Sequence, residues 1–95
     1  MPPLKIELST RFRAEARTFS EVRQQEINGA VAALPDAFGH PHRHAGLGLR
    51  RLQKDFFEFR VGRDLRVVFK LLDRDSALLA LIGNHDDVRR FLKNL

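Results

Sequence analysis

A chain of 95 residues with no cysteine and a formal charge of +5 is no disulfide-stapled secreted module, and it is long enough for one domain, residues 1–95, around one core. No apolar run approaches the roughly 20 residues of a membrane span, and Met1-Pro2-Pro3-Leu4-Lys5 lacks the apolar stretch of a signal peptide, so a soluble cytoplasmic protein is expected. The excess of base comes from 13 arginines against 4 lysines, and arginine suits planar, two-pronged contact with phosphate, which points to nucleic acid or an acidic protein as partner.

Leu4-Lys5-Ile6-Glu7-Leu8 alternates apolar and charged residues and predicts a short strand with one buried face. Ser9 or Thr10 then caps a helix on which Phe12, Ala16 and Phe19 recur at helical spacing. Ser20 and Glu21 open a longer helix running to Leu34, with Ile27, Ala30, Val31 and Leu34 as its buried stripe. Pro35 is expected to end it, because proline has no N–H to donate and crowds the turn before it. The segment from Pro35 to Gly48 has no periodicity and reads as a loop. His40, His42 and His44 stand at two-residue spacing within it, but no cysteine or close carboxylate completes a ligand set, so neither metal nor cofactor is expected.

Leu49-Arg50-Arg51-Leu52 reads as a strand, with Lys54-Asp55 as a tight turn after it. If Leu52 pairs with Phe57 on the core face, Arg51 falls opposite Glu58. The most informative stretch follows. From Phe56 to Leu72 two alternating runs flank a polar turn: Phe57, Phe59 and Val61 share one face in the first, and Leu65, Val67, Phe69 and Leu71 share one face in the second. For the two apolar faces to coincide the loop must be odd in length, most simply Gly62-Arg63-Asp64, and this parity puts Arg60 opposite Arg66. Like charges facing across a ladder are unfavourable, which suggests an outside anion that neutralises them.

Asp73 to Ser76 makes a turn into Ala77-Leu78-Leu79-Ala80-Leu81-Ile82, a continuous apolar run expected of a strand covered on both sides. Asn84 is a suitable N-cap for a last short helix, with Asp86 and Asp87 near its positive end and Val88, Phe91, Leu92 and Leu95 as its apolar stripe. The expected architecture is α+β: an N-terminal strand and a helical hairpin packed on an antiparallel sheet of about four strands, closed by a short C-terminal helix.

The segments Arg50-Arg51-Leu52, Phe59-Arg60-Val61-Gly62, Leu65-Arg66-Val67-Val68-Phe69 and Ile82-Gly83-Asn84-His85-Asp86-Asp87-Val88 together resemble the RelE/ParE toxin superfamily over nearly the whole chain. The resemblance implies a RelE-like fold and the toxin of a type II toxin–antitoxin pair. In the RelE branch it implies a metal-independent endoribonuclease that cuts ribosome-associated messenger RNA, and in the ParE branch an inhibitor of DNA gyrase. It also implies a cognate antitoxin, expected to be acidic, as partner beside messenger RNA and the ribosome; a homodimer stays open. By the same resemblance Arg60 and Arg66 match the basic positions that hold the scissile phosphate, and His85 matches a histidine that serves as acid or base. Arg50, Arg51 and Lys54 are candidates for flanking RNA phosphates. The chain departs from the pattern in having no tyrosine, with Arg89 standing where one is expected, and in offering no glutamate at Ala45 to Gly48. Glu58 is the nearest carboxylate on the basic face, with a cross-strand pairing to Arg51 as its ordinary role.

Overall fold

The alternation from Leu4 to Leu8 does become a strand, β1 (Lys5–Leu8), the first element in a computed structural model that describes residues 4–39 and 47–95. It is followed by α1 (Thr10–Ala16), α2 (Glu21–Gly39), β2 (Arg50–Arg51), β3 (Phe56–Val61), β4 (Leu65–Asp73), β5 (Ser76–Gly83) and α3 (His85–Lys93). The strands form one sheet in the order β1-β5-β4-β3-β2. The expected antiparallel set of four is β2 to β5, and the N-terminal strand joins it as a fifth, pairing parallel to β5. Among the described residues no helix is long and apolar enough to cross a membrane. His40, His42 and His44 lie outside the described residues.

β1 runs beside β5 only as far as Leu8 opposite Leu79, and side chains take over the ladder beyond it. Ser9 caps α1 by accepting from the Phe12 N–H at 3.0 Å, and its hydroxyl donates to the Ala80 carbonyl at 3.1 Å. The next free donor, the Ile82 N–H, is met by Glu15 Oε1 at 3.1 Å. A backbone group left unpaired at such a place would cost about 1–3 kcal/mol, so these two side chains fix α1 over the sheet. They complete an edge that a four-residue strand cannot cover.

The helices α1 and α2 cover one face. Phe12, Ile27 and Leu34 meet Phe59, Val61, Leu65, Val67, Phe69, Ala77, Leu79 and Ile82 in the main core. The opposite face carries a smaller cluster of Val68, Leu81 and Val88, with Leu52, Phe56, Phe91 and Leu92 packed against it beneath α3. The apolar run of β5 serves both faces because its register against β4 shifts near Ala80: Phe69 pairs with Leu79, whereas Val68 pairs with Leu81. Such a bulge inserts one residue and sends the side chains on either side of it to opposite layers.

Two expectations are corrected. Pro35 does not end α2, which continues to Gly39. An interior proline costs a helix about 3 kcal/mol, but the turn beyond it buries Ala37 completely and brings Phe38 edge-on to Phe57 and Phe69, at ring distances of 5.5 and 6.1 Å. Burying one aromatic side chain contributes about 1.5–3 kcal/mol and each ring pair roughly 0.5–1.5 more, enough to offset the proline. The register of β2 is also shifted by one. The Leu52 N–H donates to the Phe56 carbonyl at 2.9 Å around a turn in which Lys54 has φ 54°, so Arg50, not Arg51, lies opposite Glu58, and Arg51 lies opposite Phe57. Leu52 consequently packs under α3 and not with Phe57.

Candidate functional site

Parity of the β3–β4 hairpin holds as expected: Val61 pairs with Leu65, the loop is Gly62-Arg63-Asp64, and Arg60 stands directly opposite Arg66. The loop is tied to the helical layer by Arg23 of α2, which donates to both Glu26 (2.7 Å) and Asp64. Those bonds, Glu26 first, hold the Arg23 guanidinium above its usual pKa. The hairpin end is therefore anchored on the side away from its arginines.

Arg50, Glu58, Arg60 and Arg66 share the face that α3 covers in part. Glu58 is buried, at 1% exposure, and its Oε2 accepts from Arg50 Nε at 3.2 Å and from Arg66 Nη1 at 3.3 Å. The expected pairing of Glu58 with Arg51 is thus replaced by a bridge between two other arginines. Part of the repulsion between Arg60 and Arg66 is relieved inside the protein, since the Arg66 side chain, 26% exposed, is tied to that carboxylate. Three guanidinium groups still face one carboxylate, and Arg60 is exposed. A patch with this surplus attracts an anion, and the fork geometry of each arginine suits two phosphate oxygens at once.

Beyond Arg66 the sheet leads to the histidine. Gly83 of β5 is the other strand partner of Arg66, and His85, exposed, is the first residue of α3 two positions later. The turn between them is tight. The Asn84 N–H donates to Asp87 Oδ2 and the Asp87 N–H to Asn84 Oδ1, both at 2.8 Å, a reciprocal cap on α3. A Cβ on Gly83 would lie 2.7 Å from the Asp87 Cβ, so only glycine lets the helix start this close to the arginine ladder. The Asn84 cap was readable from the sequence; the need for Gly83 arises from a contact four residues away and was not.

The remaining candidates disperse. Arg51 turns to the reverse face, where its Nε and Nη2 donate to the Lys54 carbonyl at 3.2 and 3.0 Å. Lys54 sits in the β2–β3 turn. Arg89, 72% exposed, faces Asp86 at 4.0 Å and lines a hollow of about 650 Å³ with Gln53, Arg90, Leu92 and Lys93, none of which belongs to the arginine face. Among the described residues no group of three histidines or carboxylates is placed to hold a metal.

No family model and no curated protein matches the sequence. Solved structures do. YafQ from Escherichia coli strain BL21(DE3) matches with a TM-score of 0.70 and 16% identity over 90% of this chain and 97% of that one. A chain of the archaeal RelE–RelB complex from Pyrococcus horikoshii matches with a TM-score of 0.68 and 10% identity, covering 86% of this chain and 94% of that one. This is the RelE/ParE toxin fold. The YoeB/ParE toxin from Agrobacterium tumefaciens also shares it, with a TM-score of 0.63 and 17% identity over 86% of this chain and 99% of that one. Within the RelE/ParE fold of this chain, the arginine face lies on the side of the sheet that α3 covers in part, with His85 at the start of that helix.

Proposed function

We propose that this chain is the toxin of a type II toxin–antitoxin pair and acts as a metal-independent endoribonuclease on ribosome-associated messenger RNA. The observation that carries the reading is the pairing of Arg60 with Arg66 on one sheet face, with Gly83, the second partner of Arg66, two residues before His85. In the reaction the 2′-oxygen of a ribose attacks the adjacent phosphorus and the bond to the 5′-oxygen breaks, leaving a 2′,3′-cyclic phosphate and a 5′-hydroxyl. Arg60 and Arg66 stabilise the added charge on the crowded phosphorus. His85 serves one of the two proton transfers, from the 2′-hydroxyl or to the departing 5′-oxygen, histidine being the side chain that exchanges protons most readily near neutral pH. Arg50 neutralises a flanking phosphate, and Arg51 and Lys54 are left to the outer edge of the sheet.

The partner that holds such a protein in check is an acidic antitoxin laid over the basic face. That neighbours of this fold include the DinJ–YafQ toxin–antitoxin complex of E. coli and the RelE–RelB complex supports it. A second reading, a non-cleaving inhibitor of DNA gyrase, is favoured by one observation: the buried carboxylate of Glu58 is taken up by two arginines, while the chain contains no tyrosine. Controlled expression in a bacterial host tests the proposal. Growth should stop, and Arg66→Ala should restore it while the variant stays folded. Arrest that persists with Arg60→Ala, Arg66→Ala and His85→Ala combined would rule out this site, and intact messages alongside damaged DNA would favour the gyrase reading.

A further inference from the structure

Arg60 is held differently from the two arginines beside it. Arg50 and Arg66 share the carboxylate of Glu58, whereas the Arg60 side chain makes no hydrogen bond or ion pair among the described residues. Its guanidinium instead occupies the space beside Gly48 that a side chain there would fill, in the segment that leads into β2. A Cβ at Gly48 would stand 3.1 Å from Arg60 Cζ and 3.2 Å from Nη2, and would collide with Nε. Gly48 also has φ 63°, a conformation that side chains of L-residues rarely adopt.

We infer that Gly48 is a positioning residue for Arg60: its bare backbone is the seat on which the guanidinium rests, fixing the group in place without neutralising it. This inference rests on the phosphate-binding reading of the arginine face. The physical argument concerns what each form of restraint leaves behind. An arginine restrained by a carboxylate offers an approaching anion a partly cancelled field, as Arg66 does. An arginine restrained by contact with backbone alone keeps its whole charge and has already given up part of its rotamer freedom, so less is lost when phosphate binds. The face thus divides its labour. Glu58 orders Arg50 and Arg66, and Gly48 orders Arg60, the arginine that meets the anion with no competing carboxylate among the described residues.

Two roles for Gly48 must be separated, that of a bend requiring positive φ and that of a seat requiring no Cβ. Asparagine tolerates positive φ better than other residues with a side chain, yet it fills the space where Arg60 lies, so Gly48→Asn preserves the bend and removes the seat. The measurement is fluorescence anisotropy with a short single-stranded RNA, 2′-O-methylated throughout so that it cannot be cut, on the wild type, Gly48→Asn, Arg60→Ala and the double variant. Arg60→Ala should weaken binding roughly tenfold, as loss of one charge-assisted contact does. Gly48→Asn should weaken it by about threefold or more, and the double variant should bind no worse than Arg60→Ala alone, the signature of two residues acting through one group.

If Arg60→Ala weakens binding while Gly48→Asn does not, or if the two effects add in the double variant, the inference is wrong and the phosphate reading stands. If Arg60→Ala binds as the wild type does, the phosphate reading fails and takes the inference with it. Nitrogen relaxation at the arginine Nε positions of the unmodified protein gives an answer that needs no variant to fold. Arg60 should be nearly as rigid as carboxylate-bound Arg66 and much more so than exposed Arg63 in the hairpin loop. An Arg60 as mobile as Arg63 overturns the proposal.

Discussion

A buried carboxylate is expensive unless its charge is met, and Glu58 meets the cost by accepting from two arginines at one oxygen. Removing only its charge therefore has two effects. Glu58→Gln should lower stability by about 1–2 kcal/mol in urea unfolding, since the hydrogen bonds to Arg50 and Arg66 weaken but both side chains still reach water. It should also release Arg66 to face Arg60 without a counter-charge, so that the fold becomes more dependent on bound anion: added phosphate should recover more stability in the variant than in the wild type. A variant no more responsive to phosphate than the wild type would mean that the two arginines are not competing. The opposition of Arg60 and Arg66 was legible in the sequence because parity requires an odd loop and the simplest one, Gly62-Arg63-Asp64, sets them face to face. The bridge to Arg50 was not, because it depends on whether β2 closes its turn with three residues or four, and no alternation in so short a strand decides between them.

At the scale of elements, the long periodic segments were read correctly, but the C-terminal end of α2 was not. The helix beginning after Ser20 and the hairpin of β3 and β4 stand where the spacing of apolar residues put them. Pro35 misled because local propensity and tertiary burial oppose each other there, and the burial of Ala37 and Phe38 outweighs the missing donor. Phe38→Ala should consequently cost about 3 kcal/mol and, by circular dichroism, also remove helical signal, as the turn after the proline loses what holds it. A loss of stability with helicity unchanged would show that the turn persists for another reason. Glu15 was likewise invisible as a structural group: nothing in the sequence says that β1 is too short to pair with Ile82, and the carboxylate matters only because of that shortfall.

The whole molecule pairs an ordinary scaffold with an uneven distribution of charge. One face of the sheet is closed by α1 and α2 over an aromatic core; the other is half closed by α3 and half left to arginine. The sequence resemblance to the RelE/ParE toxins is matched by the fold, although identities of 10 to 16% with YafQ and the RelE–RelB chain leave the activity to be decided by the site. If Arg50, Arg60 and Arg66 each meet a phosphate, the affinity for single-stranded RNA should fall with salt with a logarithmic slope of about −2, and Arg60→Ala should make it shallower by about 0.7. A slope unchanged by that substitution would place the RNA elsewhere on the protein. The most direct test of the central claim is to map the 5′ ends of messenger RNA by primer extension after induced expression, comparing the wild type with Arg60→Ala/Arg66→Ala. The account predicts discrete new ends within coding sequence for the wild type and none for the variant. The same ends in both, or growth arrest with every message intact, would contradict it.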